Sequence, residues 1–118
     1  MKRVASAGRY EADGVEPLYL EHLRTRDFSL GTYSIPSGGQ DPQQPHSEDE
    51  LYIVTHGAGL LWTPGGIERV APGDVLFVPA GEPHRFTDVS DDLCVIVMFA
   101  PPEHSRRGLP RRPQEDSR

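Results

Sequence analysis

The stretch GGQDPQQPHSEDELYIVTHG, residues 38–57, decides how this 118-residue chain is read. It opens and closes on glycine and sets Gly38, five residues, Gln44, one residue, His46, three residues, Glu50, six residues, Gly57. A second stretch, GDVLFVPAGEPHRFTD at 73–88, sets Gly73, five residues, Pro79, one residue, Gly81, two residues, His84, three residues, Asp88. Together they gather two imidazoles, one carboxylate and one amide. Alternate side chains of a strand share a face. Gln44 and His46 can therefore point the same way, and Glu50, Tyr52 and Val54 follow at even positions. His84, Phe86 and Asp88 share a face of a later strand, and the stiff turn Pro79–Pro83 delivers His84 to it. The polar run Ser47-Glu48-Asp49 reads as a turn of solvated charges, with Glu48 as an alternative ligand.

Outward from these motifs the chain is punctuated by Gly and Pro at short intervals, as in Pro36-Ser37-Gly38-Gly39, Pro64-Gly65-Gly66 and Pro72-Gly73-Asp74. Short β-prone runs lie between the breaks, and this pattern predicts strands near 18–24, 28–35, 50–56, 59–63, 67–71, 75–79, 84–89 and 93–99. Only Glu16–Arg26 could make a helix, and its leucines and Thr25 read better as an edge strand. Leu93–Phe99 is apolar at both parities, which places it as a central strand buried on both faces. Many short, evenly spaced strands define an all-β sandwich or barrel.

Imidazole nitrogen and carboxylate oxygen suit a divalent metal ion such as Fe, Mn, Ni, Zn or Co. Two His and one carboxylate with open positions is the set of many non-haem iron sites. A divalent ion with one carboxylate keeps a net charge near +1 and draws a small anion or an oxygen chelator. The glycine and proline framework adds specificity. The two motifs resemble the two cupin motifs, written as glycine, five residues, His-x-His, three or four, Glu, six, glycine, and then glycine, five, Pro-x-Gly, two, His, three, Asn. The 15 residues between Gly57 and Gly73 resemble the spacing of the compact cupins.

That resemblance covers about Tyr19 to Phe99. It implies a small antiparallel β-barrel or double-sheet jelly roll with a metal held inside, often in a homodimer. The implied ligands are His46, Glu50 and His84, with Gln44 standing where the family writes its first His. Gln44 then either ligates or serves as a pocket amide, and Asp88 stands at the Asn position, which is not a ligand. Tyr52 and Phe86 are the substrate-pocket candidates. Three functions stay open: a metalloenzyme of dioxygenase, isomerase, decarboxylase or cyclase type, a small-molecule binding or sensing barrel, and a structural barrel with a vestigial, water-filled site. No separate general base can be named from the sequence.

Composition narrows the partners. The net charge is −6, and residues 101–118 carry five Arg against three acids, so the first 100 residues sum to −8. An acidic body repels phosphate backbones, which argues against nucleic acid. No run approaches the roughly 20 apolar residues of a bilayer span, and the start MKRVASAGRYEADG lacks the apolar core of a signal sequence. Cys94 is the only cysteine, so no intrachain disulfide forms, and its apolar run LCVIVMF predicts a buried, inert thiol. These features fit the cytoplasm. Residues 1–17 read as an N-terminal segment, 18–100 as the barrel, and 101–118, rich in Pro and charge, as a disordered tail. His22, His56 and His104 read as surface residues.

Overall fold

The computed structural model describes residues 1–42 and 45–104, and six strands occur among them. They are β1 (Leu18–Arg24), β2 (Ser29–Ile35), β3 (Asp49–Thr63), β4 (Gly66–Val70), β5 (Val75–Val78) and β6 (Arg85–Ala100), and no helix occurs among the described residues. All pairings are antiparallel, in the order β1-β2-β6-β3-β4, with β5 added to β3.

Two long strands organise this ladder. The first half of β3 pairs β5 through Glu50–Ile53, and its second half pairs β4 through Gly59–Thr63. β6 follows β3 along both halves, and its own second half also pairs β2. The ladder is interrupted by register shifts at Val54/His56, His56/Ala58 and Ala58/Leu60. Extra residues on one strand bend it and increase its twist. There the ladder turns over on itself, and one core cluster draws Tyr52, Val54, Val95, Val97 and Phe99 together with Leu61, Val70, Phe86 and Val89. The result is a double-sheet jelly roll whose ladder ends at β1 and β4. Four of the runs predicted as separate strands are the halves of β3 and β6, because the bulges carry hydrogen bonding through the breaks.

Gly57 sits at the bend with φ +87°, a conformation strained for any residue with a side chain. A Cβ there would lie 2.0 Å from the Asp92 carbonyl oxygen. Asp88 makes the matching switch in β6. Its φ is +48°, and it is exposed, so it does not share the face of His84 and Phe86 as strand alternation predicts. The interior parity changes from Phe86 to the odd positions Val89, Leu93, Val95, Val97 and Phe99. Asn and Asp are the side-chain-bearing residues that tolerate this left-handed conformation best, which gives Asp88 a backbone role.

Segments before β1 and after β6 contribute contacts. Gly8 donates its N–H to Thr32 Oγ1 and accepts from Thr55 Oγ1, at 2.9 and 2.7 Å, which ties the N-terminal segment to β2 and β3. The 101–118 segment was read as a disordered tail, yet Pro102, Glu103 and His104 are buried. Glu103 N–H donates to Ser29 Oγ at 2.9 Å, and the Arg24 guanidinium donates to the Glu103 carbonyl. Residues 105–118 lie outside the described residues.

Candidate functional site

Glu50 and Tyr52 project inward from the first half of β3, and each is 1% exposed or less. His84 arrives from the turn before β6, where Glu82 N–H bonds the Pro79 carbonyl at 3.1 Å. His46 lies on the segment before β3, and its carbonyl accepts from Gly81 N–H at 2.7 Å. That bond links the two motifs through their backbones. The His46 ring rests edge-on against Phe99, with centroids 4.8 Å apart.

His84 has a defined orientation. Its Nδ1 is 2.9 Å from the Glu82 carbonyl, which can only accept, so Nδ1 carries a proton. Nε2 then faces Glu50 Oε1 at 3.0 Å and Tyr52 Oη at 3.1 Å. A carboxylate and an imidazole lone pair repel at this distance unless a proton or another cation is shared between them. Burial pushes the imidazole pKa down, but the hydrogen bond and charge of Glu50, then the Glu82 carbonyl and the Asp41 charge, outweigh it and raise the group above the ordinary histidine range.

The separation of this pair is also one that two donors to a single ion would have. Ligand bonds of about 2.1 Å at right angles place neighbouring donors about 3 Å apart, the separation found between His84 Nε2 and Glu50 Oε1. The His46 and His84 rings lie 6.1 Å apart between centroids. Among the described residues no three His, Cys, Asp or Glu side chains stand at the separations of a completed metal site. Gln44, the fourth sequence candidate, lies outside the described residues. Donor chemistry, burial and the Glu50–His84 pair fit a divalent ion.

Tyr52 contributes its hydroxyl to this cluster, and the Phe86 ring packs edge-on behind it at 4.9 Å. Phe86 also lines an open cleft of about 540 Å³ with Asp41, Pro42, Arg85 and Asp88, and neither His84 nor Glu50 is part of that lining. Several residues depart from their expected places. Glu48 is buried at 1% exposure rather than solvated, and Ser47 Oγ donates to its Oε2 at 2.7 Å. His104 is buried rather than on the surface, with its ring 6.3 Å from that of His46. His22 is half-buried, 2.6 Å from Thr32 Oγ1. Asp41, unremarked in the sequence, is buried and holds the Tyr33 hydroxyl at 2.6 Å and the Phe86 N–H at 2.8 Å. It fixes the start of β6 beside His84. The Asp-Pro turn around it gave no sign of this role. His56 is exposed and Cys94 is buried, as predicted, and burial raises the Cys94 thiol pKa against the hydrogen bonds of Thr55 and Ser34.

With fold and site in place, the class is defined: residues 31–100 match the cupin domain family, and the chain belongs to it. Within that family it is 44% identical over 85 residues to an uncharacterized protein of Streptomyces coelicolor, covering 72% of this chain and 81% of that one. It is also 38% identical over 58 residues to the acireductone dioxygenase of Geobacillus thermodenitrificans. That match covers 44% of this chain and only 32% of the enzyme. An RmlC-like cupin protein from Desulfovibrio desulfuricans superposes with a TM-score of 0.75 at 22% identity, over 86% of this chain and 98% of that one. This last likeness concerns the fold.

Proposed function

We propose that the chain is a metal-dependent cupin enzyme acting on a small anionic or oxygen-chelating metabolite, in a reaction of dioxygenase, isomerase, decarboxylase or cyclase type. The observation that carries this reading is the buried Glu50–His84 pair, which needs a proton or a cation between its facing atoms. His46, Glu50 and His84 would hold the ion, with Gln44 as a further oxygen donor. A bound divalent ion supplies Lewis-acid polarisation of a substrate oxygen.

The chain's own residues prepare the site. The Glu82 carbonyl fixes the His84 tautomer and leaves Nε2 toward the interior. Tyr52 presents a hydroxyl at that nitrogen, suited to orienting a substrate oxygen. Phe99 and Phe86, both buried, exclude water from the surrounding walls. The likeness to a dioxygenase over part of the chain supports an enzyme over an inert barrel. We further infer a homodimer. Val75 and Phe77 are each 61% exposed on β5, which pairs β3 on one side, and a second copy would cover them. No helix among the described residues is long and apolar enough to cross a membrane. The single buried thiol fits a cytoplasmic setting.

Elemental analysis of protein purified without chelator tests the metal. Wild type is expected to carry about one equivalent, His46→Ala and His84→Ala to lose it, and Gln44→Ala to weaken it less, since an amide oxygen is the poorer ligand. Full retention in the His46→Ala, His84→Ala double variant overturns the site. Metal-loaded protein that binds metabolites tightly and yields no product by mass spectrometry points instead to a binding barrel.

A further inference from the structure

We propose that the segment after β6, Pro101–His104, is a strap that closes the site in this structure and must release for a metabolite to reach His46. The inference rests on the site reading above and adds a conformational step to it.

Three observations carry it. The first is closure. His46 is 8% exposed, and Glu50, Tyr52 and His84 are buried more deeply still. A small molecule that reacts among these side chains has to displace part of the wall. Besides His84, two rings lie against that of His46. Phe99 is held in the ladder between Ser29 of β2 and Glu50 of β3. His104 stands beyond the end of β6, with its ring centroid 6.3 Å from that of His46. The second observation is placement. Arg24, Ser29, Phe99 and Glu50 are successive cross-strand partners in one row across β1, β2, β6 and β3. Direct partners in such a row share a face of the sheet, and Ser29, Phe99 and Glu50 are all buried. The strap is fastened to this same row. Glu103 N–H donates to Ser29 Oγ at 2.9 Å, and the Arg24 guanidinium donates to the Glu103 carbonyl. The strap therefore crosses the end of the sheet that carries Glu50, and it buries Pro102, Glu103 and His104 there.

The third observation is how the strap is held. Both bonds go to the backbone of one residue, and the Arg24 side chain is 38% exposed, so water competes for it. The Glu103 carboxylate lies 3.4 Å from His104 Nε2, which lets these two side chains move together. His104 takes φ +69°, in the left-handed region where a Cβ crowds the following carbonyl. Such strain persists where surrounding structure over-determines it, and it clusters at switch segments. Freeing Glu103 relieves that strain and uncovers His46, and it leaves the β2–β6 and β3–β6 ladders intact. Segments that open locally come from the least stable parts of a fold, and a stretch outside the strands fits that description.

Diethylpyrocarbonate labelling of the full chain, mapped by mass spectrometry, reads the access of a small reagent to each imidazole. It is run at pH 7 with chelator on wild type, Ser29→Ala, Arg24→Gln and the double variant, with the exposed His56 as internal reference. Amide hydrogen exchange at Val95 and Val97 reports the integrity of β6. Wild-type His46 should react about tenfold more slowly than His56, as a group reached only through local opening does. Each single variant should speed His46 about fivefold, the factor carried by one hydrogen bond, with His56 and the β6 amides unchanged. Equal His46 rates in wild type and the double variant overturn the strap. A wild-type His46 as reactive as His56 overturns it too, because the site is then open. So does a faster His46 accompanied by faster exchange in β6, which is loosening of the sheet. A parallel series with Zn²⁺ in place of chelator separates the strap from the metal reading. If Zn²⁺ protects wild-type His46 while the variants leave its rate unchanged, the metal stands and the strap falls. If the variants speed His46 and Zn²⁺ gives no protection, the strap stands and the metal falls.

Discussion

Replacing Glu50 by Gln keeps the size of the side chain and removes its charge, and the stability cost should depend on pH in one direction. Glu50 and His84 side chains are each 1% exposed and 3.0 Å apart, so solvent screening does not dilute their interaction. His84 titrates above its ordinary value in the folded chain. The pair therefore stabilises fully below the unfolded-state pKa of about 6.5, and it loses that contribution as pH rises through the higher folded value. At pH 6 the variant leaves a buried imidazolium against a neutral amide. Breaking a buried pair this way costs about 3 kcal/mol or more, limited by the freedom of the imidazole to release its proton. At pH 9 the imidazole is closer to neutral in both proteins, and the difference shrinks toward a single neutral hydrogen bond of about 1 kcal/mol. Urea unfolding with chelator present, at both pH values, measures this. Equal losses at the two pH values, or a larger loss at pH 9, would refute the assignment of the pair as a coupled imidazolium and carboxylate. Zn²⁺ affinity of the wild type should run the other way and rise with pH, because the metal competes with the His84 proton.

Gly57→Ala should destabilise the fold by about 2–5 kcal/mol, combining the left-handed backbone cost with overpacking against the Asp92 carbonyl 2.0 Å from the new Cβ. Thermal unfolding checks it, and a melting temperature within a degree of wild type would show that the bend is not where the backbone is constrained. Phe77→Glu should convert a dimer to a monomer in sedimentation equilibrium, since it places a charge on the exposed face of β5. A dimer unchanged by it moves the interface elsewhere.

The sequence by itself determined the all-β class and most of the strand positions, and it named candidate residues for the site. Short runs bounded by Gly and Pro leave no room for helices, and Leu93–Phe99 could be read as a buried central strand because it is apolar at both parities. The motif spacing named His46, Glu50 and His84, since their residue types and intervals are local properties. Parity counting failed at Asp88 because a left-handed residue breaks the two-residue period, and φ is not written in alternation. Glu48 and His104 were misplaced for a different reason. Charged residues near Pro and Gly read as solvated, and only the folded chain shows Glu48 enclosed beside β3 and the segment after β6 turned inward. That turn depends on Ser29 and Arg24, more than seventy residues earlier in the chain than Glu103. Tertiary structure alone decided which buried groups face one another, because hydrogen bonds at such separations are made by the register of β1, β2 and β6 and leave no periodic trace in the sequence.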